Sequence, residues 1–379
     1  MPPLPDPKCP PRGQHQRGLL CFAAHAITTL SICIPSHAPL AAAKTSIDSA
    51  LALLPYGDIE VVVSDNSEDE QKAAYYGLLQ REGFRYLRSV EQDPMRNWSH
   101  AVDNASGTLV MMLGDDDIIT ALPGFVVPNA DSLAGMVGFR PAFAMFSEGQ
   151  GVYRPTHFAV QGARAMDRVQ DYLVKNGGSN VTVYSAVRRD VWRNLFAGYL
   201  AYHPTHAGYT DWSLTFALVA TAPLIQQGNL LYLYNNANWD SAEKIRSNTE
   251  RGMKSVGLPD EASQIQMALQ AVDTFVAICR ADLGIPADEK LEAGLLATSI
   301  YFNSLVSALQ KRFESKEPPT PQLLRAAKIA LAAQQPAEQL SACIVIIETC
   351  LPQLREPYQK FFDAVLDPEI ARAVGLAGN

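Results

Sequence analysis

The chain has 379 residues, enough for two or three domains and a sizeable core, and its 47% hydrophobic and 18% charged residues are ordinary for a globular protein. A net charge of -8 and a pI near 5.4 exclude a general nucleic-acid binder. An anionic substrate must then be held by local devices, such as a metal or backbone amides.

Residues 1–18 are rich in Pro, Gly and charge. The following run, Leu19 to Ala26, comes after Lys8, Arg12 and Arg17 and imitates a secretory signal. Its apolar core is short and contains His25, so residues 1–27 read as a disordered or leader segment. No later run reaches the roughly 18 apolar residues of a membrane-spanning helix. The six cysteines form no CxxC pair and read as reduced thiols of a cytoplasmic protein.

From Thr28 to Leu113, strand and helix signals alternate. Strands are expected at Leu30–Ile34, Ile59–Val63, Phe84–Leu87 and Leu109–Leu113. Helices are expected at Ala41–Leu54, Glu68–Arg81 and Met95–Ala105, the last stopped by Gly107. Such alternation implies βαβ units and a parallel sheet. Ligands sit outside the carboxyl ends of the strands in sheets of this kind. Three polar endings therefore converge: Pro35-Ser36-His37, Asp65-Asn66-Ser67 and Asp115-Asp116-Asp117.

The stretch TLVMMLGDDDIIT, Thr108 to Thr120, is the strongest chemical signal. An apolar run ends at Gly114 and three carboxylates follow, with no Lys or Arg inside the stretch. Adjacent like charges beside a buried strand are costly unless something pairs them. A divalent cation such as magnesium or manganese is the economical partner. The plainer reading is a solvated acidic turn.

These blocks, SICIPSHAP, EVVVSDNSEDE and NWSHAVDNASGTLVMMLGDDDII, resemble in order those of glycosyltransferase family 2. The resemblance covers about Thr28 to Thr120 and continues thinly through Asn180 to Ala220. It implies an α/β GT-A type fold, a Rossmann-like mostly parallel sheet flanked by helices, over residues 28–250. Residues 28–120 would be its nucleotide-binding half and residues 121–250 its acceptor half. It also implies a nucleotide-sugar donor, a manganese or magnesium ion and inversion at the anomeric carbon. Expected acceptors are a glycan, a lipid-linked sugar or a protein in bacterial surface polysaccharide, lipopolysaccharide or glycoprotein glycan synthesis, with no nucleic acid as partner. One departure is Gly114, which stands where the family's carboxylate block usually begins with an acid.

The resemblance also implies roles. Pro35 and Ser36 would lie beneath the nucleoside. Asp65 would accept from the base, its alternative being an Asx-turn residue. Asn97 would reach the donor, or else start its helix. Asp115 and Asp117 are taken as the Asp-x-Asp pair, with Asp115 near the ribose and metal and Asp117 ligating the metal. Asp116 would belong to the nucleotide-binding set, its alternative being a residue that only shapes the turn. The general base is expected at a helix start after an acceptor-side strand, and Asn180–Val187 reads as such a strand. Asp211, before the helix pattern Ser213–Ala220, fits the base, with a helix cap as its plainer role. His203 and His206 read as loop residues or substrate contacts. Tyr232 to Trp239, YLYNNANW, offers aromatic faces and amides suited to sugars, and Arg246 and Arg251 read as a solvated helix face.

Beyond about Leu258 helix patterns recur around Ile265–Cys279, Leu291–Phe313, Gln322–Ala333 and Leu340–Cys350. They imply an all-helical domain over residues 251–379, open to homo-oligomerisation or to peripheral contact with the inner membrane face. Mixed charges there give no strong basic stripe. Two other readings remain: a nucleotidyl-transferring enzyme, since a strand ending in GDD also resembles palm-type polymerases, and a non-catalytic sugar-nucleotide-binding or scaffold protein.

Overall fold

The computed structural model describes residues 29–129, 131–206, 209–314 and 320–378. The expected leader, Cys9 and Cys21 lie outside the described residues. Strand β1 (Leu30–Ser36), helix α1 (Leu40–Leu51), β2 (Ile59–Asp65), α2 (Glu70–Gly77), β3 (Phe84–Arg88), α3 (Pro94–Asp103) and β4 (Leu109–Met112) follow the expected alternation. Both β2 and β4 are buried throughout; β4 is unbroken apolar, as a strand covered on both faces requires, while in β2 the buried Glu60 is paired with Arg85 and accepts from Ser31. Asp69 caps α2 and Asp93 caps α3, each accepting two backbone N–H bonds, and Pro94 opens α3 where a missing N–H does no harm.

The second half adds β5 (Ile118–Ala121), β6 (Gly138–Ser147), β7 (Gly151–Thr156), α4 (Ala165–Asn176), β8 (Ala186–Arg188), α5 (Arg189–Tyr202), α6 (Thr210–Thr221), β9 (Leu224–Asn235) and α7 (Ala242–Ser255). The sheet order is β3-β2-β1-β4-β8-β6-β9-β5, with β7 on the side of β6. Strands β3, β2, β1 and β4 are mutually parallel, and β6 runs parallel to β9. In register, Ser36 faces Asp65, and Cys33 faces Met112. The polar ends of β1, β2 and β4 therefore finish on one edge.

Two local expectations change. Asn180–Val187 is not one strand: Asn180–Tyr184 is a 3-10 turn and only Ala186–Arg188 is extended. Every residue from Val181 to Val187 is buried, so the apparent alternation does not separate two faces. The Asn180 carbonyl accepts from Thr215 Oγ1 at 2.8 Å, which ties the turn to α6. Strand β6 contains Pro141, a residue that argues against a central strand. The ladder to β9 shifts register between Pro141 and Ala142, and this irregularity accommodates it.

Helices α8 (Gln266–Ile278), α9 (Ala287–Glu314), α10 (Pro321–Ala332), α11 (Pro336–Cys350), α12 (Arg355–Val365) and α13 (Pro368–Ala373) complete the chain. In α6 every residue from Ser213 to Ala220 is buried, and in α8 every residue from Ala268 to Ile278. A helix apolar all round must be covered all round. These two pack on each other, so one hydrophobic core runs from the sheet into the helical region. Cys33, Cys279 and Cys343 are buried, unbridged thiols within it. Among the described residues no helix is long and apolar enough to cross a membrane.

Candidate active site

The strand ends are joined by one polar chain. Lys72, on α2, is 0% exposed, and its ammonium spends three donors: Asp65 Oδ1 at 2.8 Å, Ser36 Oγ at 2.7 Å and the Ala38 carbonyl at 2.7 Å. Ser36 Oγ in turn donates to Asp115 Oδ2 at 2.9 Å. The same Asp115 oxygen accepts the backbone N–H groups of His37 and Ala38, each at 2.8 Å. Asp69 Oδ2 takes the Leu40 N–H at 2.7 Å. The loop between β1 and α1 is thus fixed from three sides, with Pro35 half-buried beneath it and His37 exposed above it.

Asp65 faces inward. It is 0% exposed and accepts from Lys72, from Ser67 N–H at 2.9 Å and from the Tyr86 hydroxyl. Burial would raise its pKa, but the bonds from Lys72, Tyr86 and Ser67 outweigh it and hold the carboxyl below its usual range. The Asx-turn alternative is realised, and no oxygen is left facing a base. Asn97 is likewise turned away from a donor. It is 2% exposed, accepting from Ser64 Oγ at 2.6 Å and donating to the Ser64 carbonyl at 3.1 Å, which ties α3 to β2.

The three carboxylates divide their work. Asp117 is 1% exposed, with Oδ2 accepting from the Tyr232 hydroxyl at 2.5 Å and Oδ1 from Asn235 N–H at 2.7 Å. Burial and the Asp116 charge push it up to about 8 despite those bonds. Each of its oxygens accepts one bond from β9, and the carboxylate joins the β4 end to that strand. Asp116 is exposed and bonds to no other described residue. Burial and the Asp115 charge push it up to about 6; since the residue is exposed, the Asp115 charge is the cause with the firmer structural basis. No described residue donates to the second oxygen of Asp115. The open carboxylate oxygens are therefore on Asp115 and Asp116, not on Asp115 and Asp117. The geometry also accounts for Gly114: a Cβ there would lie 2.5 Å from Asp117 Oδ2. A side chain at 114 would have to displace the buried Asp117 carboxylate.

Asp211 sits in the first turn of α6, whose cap position is Tyr209. Its Oδ1 accepts from Trp212 N–H at 3.0 Å and its Oδ2 from the Asn180 amide. Burial pushes it up to about 6, and the Asn180 and Trp212 bonds pull the other way. Tyr184 and Tyr234 connect the two groups of carboxylates. Their rings lie tilted at 42° with centroids 5.8 Å apart, and both phenols are raised by burial and further by Asp117, Asp211 and Asp116. Neither phenol is bonded to a described residue.

The loop before Asp211 is anchored at both ends. His203 Nδ1 accepts Thr205 and His206 N–H at 3.2 and 2.9 Å. This leaves Nε2 as the proton-bearing atom, 2.9 Å from the buried Asp273 of α8. His206 contacts Asp93, the α3 cap, at 2.6 Å. His203 thus bonds within its own loop and faces Asp273, and His206 reaches the α3 cap. Sequence reasoning missed Lys72, Asn180 and Asp273, none of which carries a local motif, and read Tyr232 as a sugar-facing aromatic where its hydroxyl donates to Asp117.

Residues 31–195 match the profile of the family described as Glycosyl transferase family 2. No curated protein matches the sequence. Among solved structures, S. aureus TarS residues 1–349 in complex with UDP-GlcNAc is similar at 13% identity and a TM-score of 0.47, covering 92% of this chain and 88% of that one. A second crystal structure of the same S. aureus TarS fragment, residues 1–349, gives 12% identity, a TM-score of 0.39, and coverage of 84% of this chain and 90% of that one. The matched residues run from β1 into α5 and contain Ser36, Asp65 and Asp115 to Asp117, while Asp211 lies beyond them. The match spans residues 31–195, less than half of the chain, and over these residues the chain is similar to glycosyl transferase family 2.

Proposed function

We propose that the protein transfers a sugar from a nucleoside-diphosphate sugar to an acceptor hydroxyl, with inversion at the anomeric carbon. The observation that carries the reading is a chain of contacts from Asp117 to Asp211: Asp117 accepts from the Tyr232 hydroxyl, the Tyr232 ring stacks on Tyr184 with centroids 5.0 Å apart, and Tyr184 ends the turn whose Asn180 amide donates to Asp211. Aromatic rings thus link the donor-side and acceptor-side carboxylates. The nucleoside would lie over the fixed loop Pro35–Ala38, where His37 and the half-buried Pro35 face outward.

A divalent cation, manganese or magnesium, fits the open oxygens of Asp115 and Asp116. Among the described residues no group of three His, Cys, Asp or Glu could hold one unaided. The donor's phosphate oxygens would complete its shell, so metal and nucleotide should bind together. When bound, the cation supplies Lewis-acid neutralisation of the leaving diphosphate.

Asp211 would accept the acceptor's hydroxyl proton. A base must be ionised to act, and a carboxylate pushed up to about 6 is a stronger base near neutral pH than an ordinary one. Asn180 and Trp212 N–H hold its two oxygens and fix the plane of the carboxylate. Transfer rate should rise about tenfold per pH unit below 6 and level off above it.

The test is a panel of UDP-, GDP- and TDP-sugars incubated with the full chain and manganese. Released nucleoside diphosphate is measured, with the anomeric form of the sugar product followed by NMR. One donor should be consumed with inverted product. Retained configuration would refute the single-displacement mechanism, and no release from any donor would refute the transfer reading.

A further inference from the structure

We infer that the groove between Trp212 and Trp239 is the acceptor subsite, and that it takes a carbohydrate ring. This rests on the transfer reading above. The groove is a cavity of about 490 Å³ built from four elements: Tyr209 and Trp212 of the α6 start, Asn238 and Trp239 after β9, Asn248 and Arg251 of α7, and Gln266 at the start of α8. That volume is in the range of small-ligand clefts.

Trp239 is 39% exposed, an indole left in water beside polar neighbours. An indole face suits the C–H face of a sugar ring, while amide and guanidinium groups around it suit the hydroxyls. Asn248 Nδ2 donates to the Asn238 carbonyl at 2.6 Å, and Arg251 donates to Asn248 Oδ1, so the polar rim is held in place before any ligand arrives. Trp212 follows Asp211 directly, and its N–H donates to Asp211 Oδ1 at 3.0 Å. The groove thus reaches the first turn of α6, which carries Asp211, while Asp211 itself is not among its lining residues.

A nucleobase is a poorer candidate, because the nucleoside end of the site lies at the ends of β1 and β2, on other elements. An extended peptide is also poorer. It would need a free strand edge for backbone pairing, and β9 is already paired on both sides, with β6 and β5.

The experiment applies fluorescently labelled full-length protein, with UDP and manganese present, to an array of immobilised oligosaccharides and a matching peptide array. Wild type should be retained on a subset of oligosaccharides. Trp239→Ala should weaken that retention about tenfold, and Trp239→Phe should restore most of it. UDP binding by calorimetry should be the same in all three proteins, because Trp239 is exposed and away from the nucleoside end. Nucleotide binding with no oligosaccharide retained, retention on peptides alone, or retention indifferent to Trp239→Ala would each overturn the inference. Oligosaccharide retention by a wild type that binds no nucleotide would overturn the transfer reading instead, and leave the groove a carbohydrate site without an acceptor role.

Discussion

Asp211→Asn should lower turnover by at least ~10²-fold and leave nucleotide affinity unchanged. The substitution keeps the size of the side chain, and the Asn180 amide and Trp212 N–H can still be accepted by its carbonyl oxygen one at a time. The cap position belongs to Tyr209, so losing the charge at 211 should cost the helix little. The acid limb near pH 6 should also vanish from the pH–rate profile of the variant. Steady-state kinetics and a melting curve measure both halves of this expectation. An active variant with a lowered melting temperature would assign Asp211 to the fold and not to the chemistry.

The second large effect concerns stability. Lys72→Met should destabilise the protein by about 3–5 kcal/mol, the usual cost of leaving one member of a buried ion pair alone. Three acceptors lose their donor at once: Asp65 Oδ1, Ser36 Oγ and the Ala38 carbonyl. The loop that carries the nucleoside would loosen with them, so nucleotide affinity should fall in parallel. The pH dependence has a definite sign. Burial opposes the ionised form of Asp65, but the Lys72, Tyr86 and Ser67 bonds prevail, and its folded pKa lies below the unfolded one. Its stabilisation is therefore present above the ordinary carboxylate range and is lost as pH falls through the lower, folded pKa. Denaturant unfolding across acidic pH should show wild type losing stability there, and Lys72→Met losing less. Equal slopes would show that the pair does not couple.

The first half of the sheet was legible because its signals are local. Strands buried on both faces read as apolar runs, and the polar residues after them name the edge where ligands bind. The roles of single residues were less legible, because partners far along the chain decide them. Tyr232 and Asp117 are separated by 115 positions, and only the pairing of β9 with the far edge of the sheet brings them together. Without that contact, Asp117 reads as an open carboxylate. Lys72 sits in a polar helix pattern that predicts solvent, yet it is 0% exposed because Asp65 and Ser36 finish on the same edge. Asn97 follows the α3 cap as a helix-start residue should, but its face is set by Ser64 of a neighbouring strand. Asp211 was legible as a helix-start carboxylate. Its enclosure by Asn180 was not, because the Asn180–Tyr184 turn imitates a strand.

The central claim is that Asp115 and Asp116 share a divalent cation with a nucleoside diphosphate. Calorimetric titration of UDP and GDP into the full chain, with manganese and then with EDTA, tests it most directly. One nucleotide should bind with manganese and lose at least ~1.4 kcal/mol, a factor of ten, in EDTA. Manganese without nucleotide should bind weakly, since no third protein ligand is in place among the described residues. Asp116→Asn should bind the nucleotide in manganese as weakly as wild type does in EDTA, with an unchanged melting temperature, because Asp116 bonds to no other described residue. Equal nucleotide affinity in manganese and EDTA, or an Asp116→Asn variant that binds like wild type, would contradict the account.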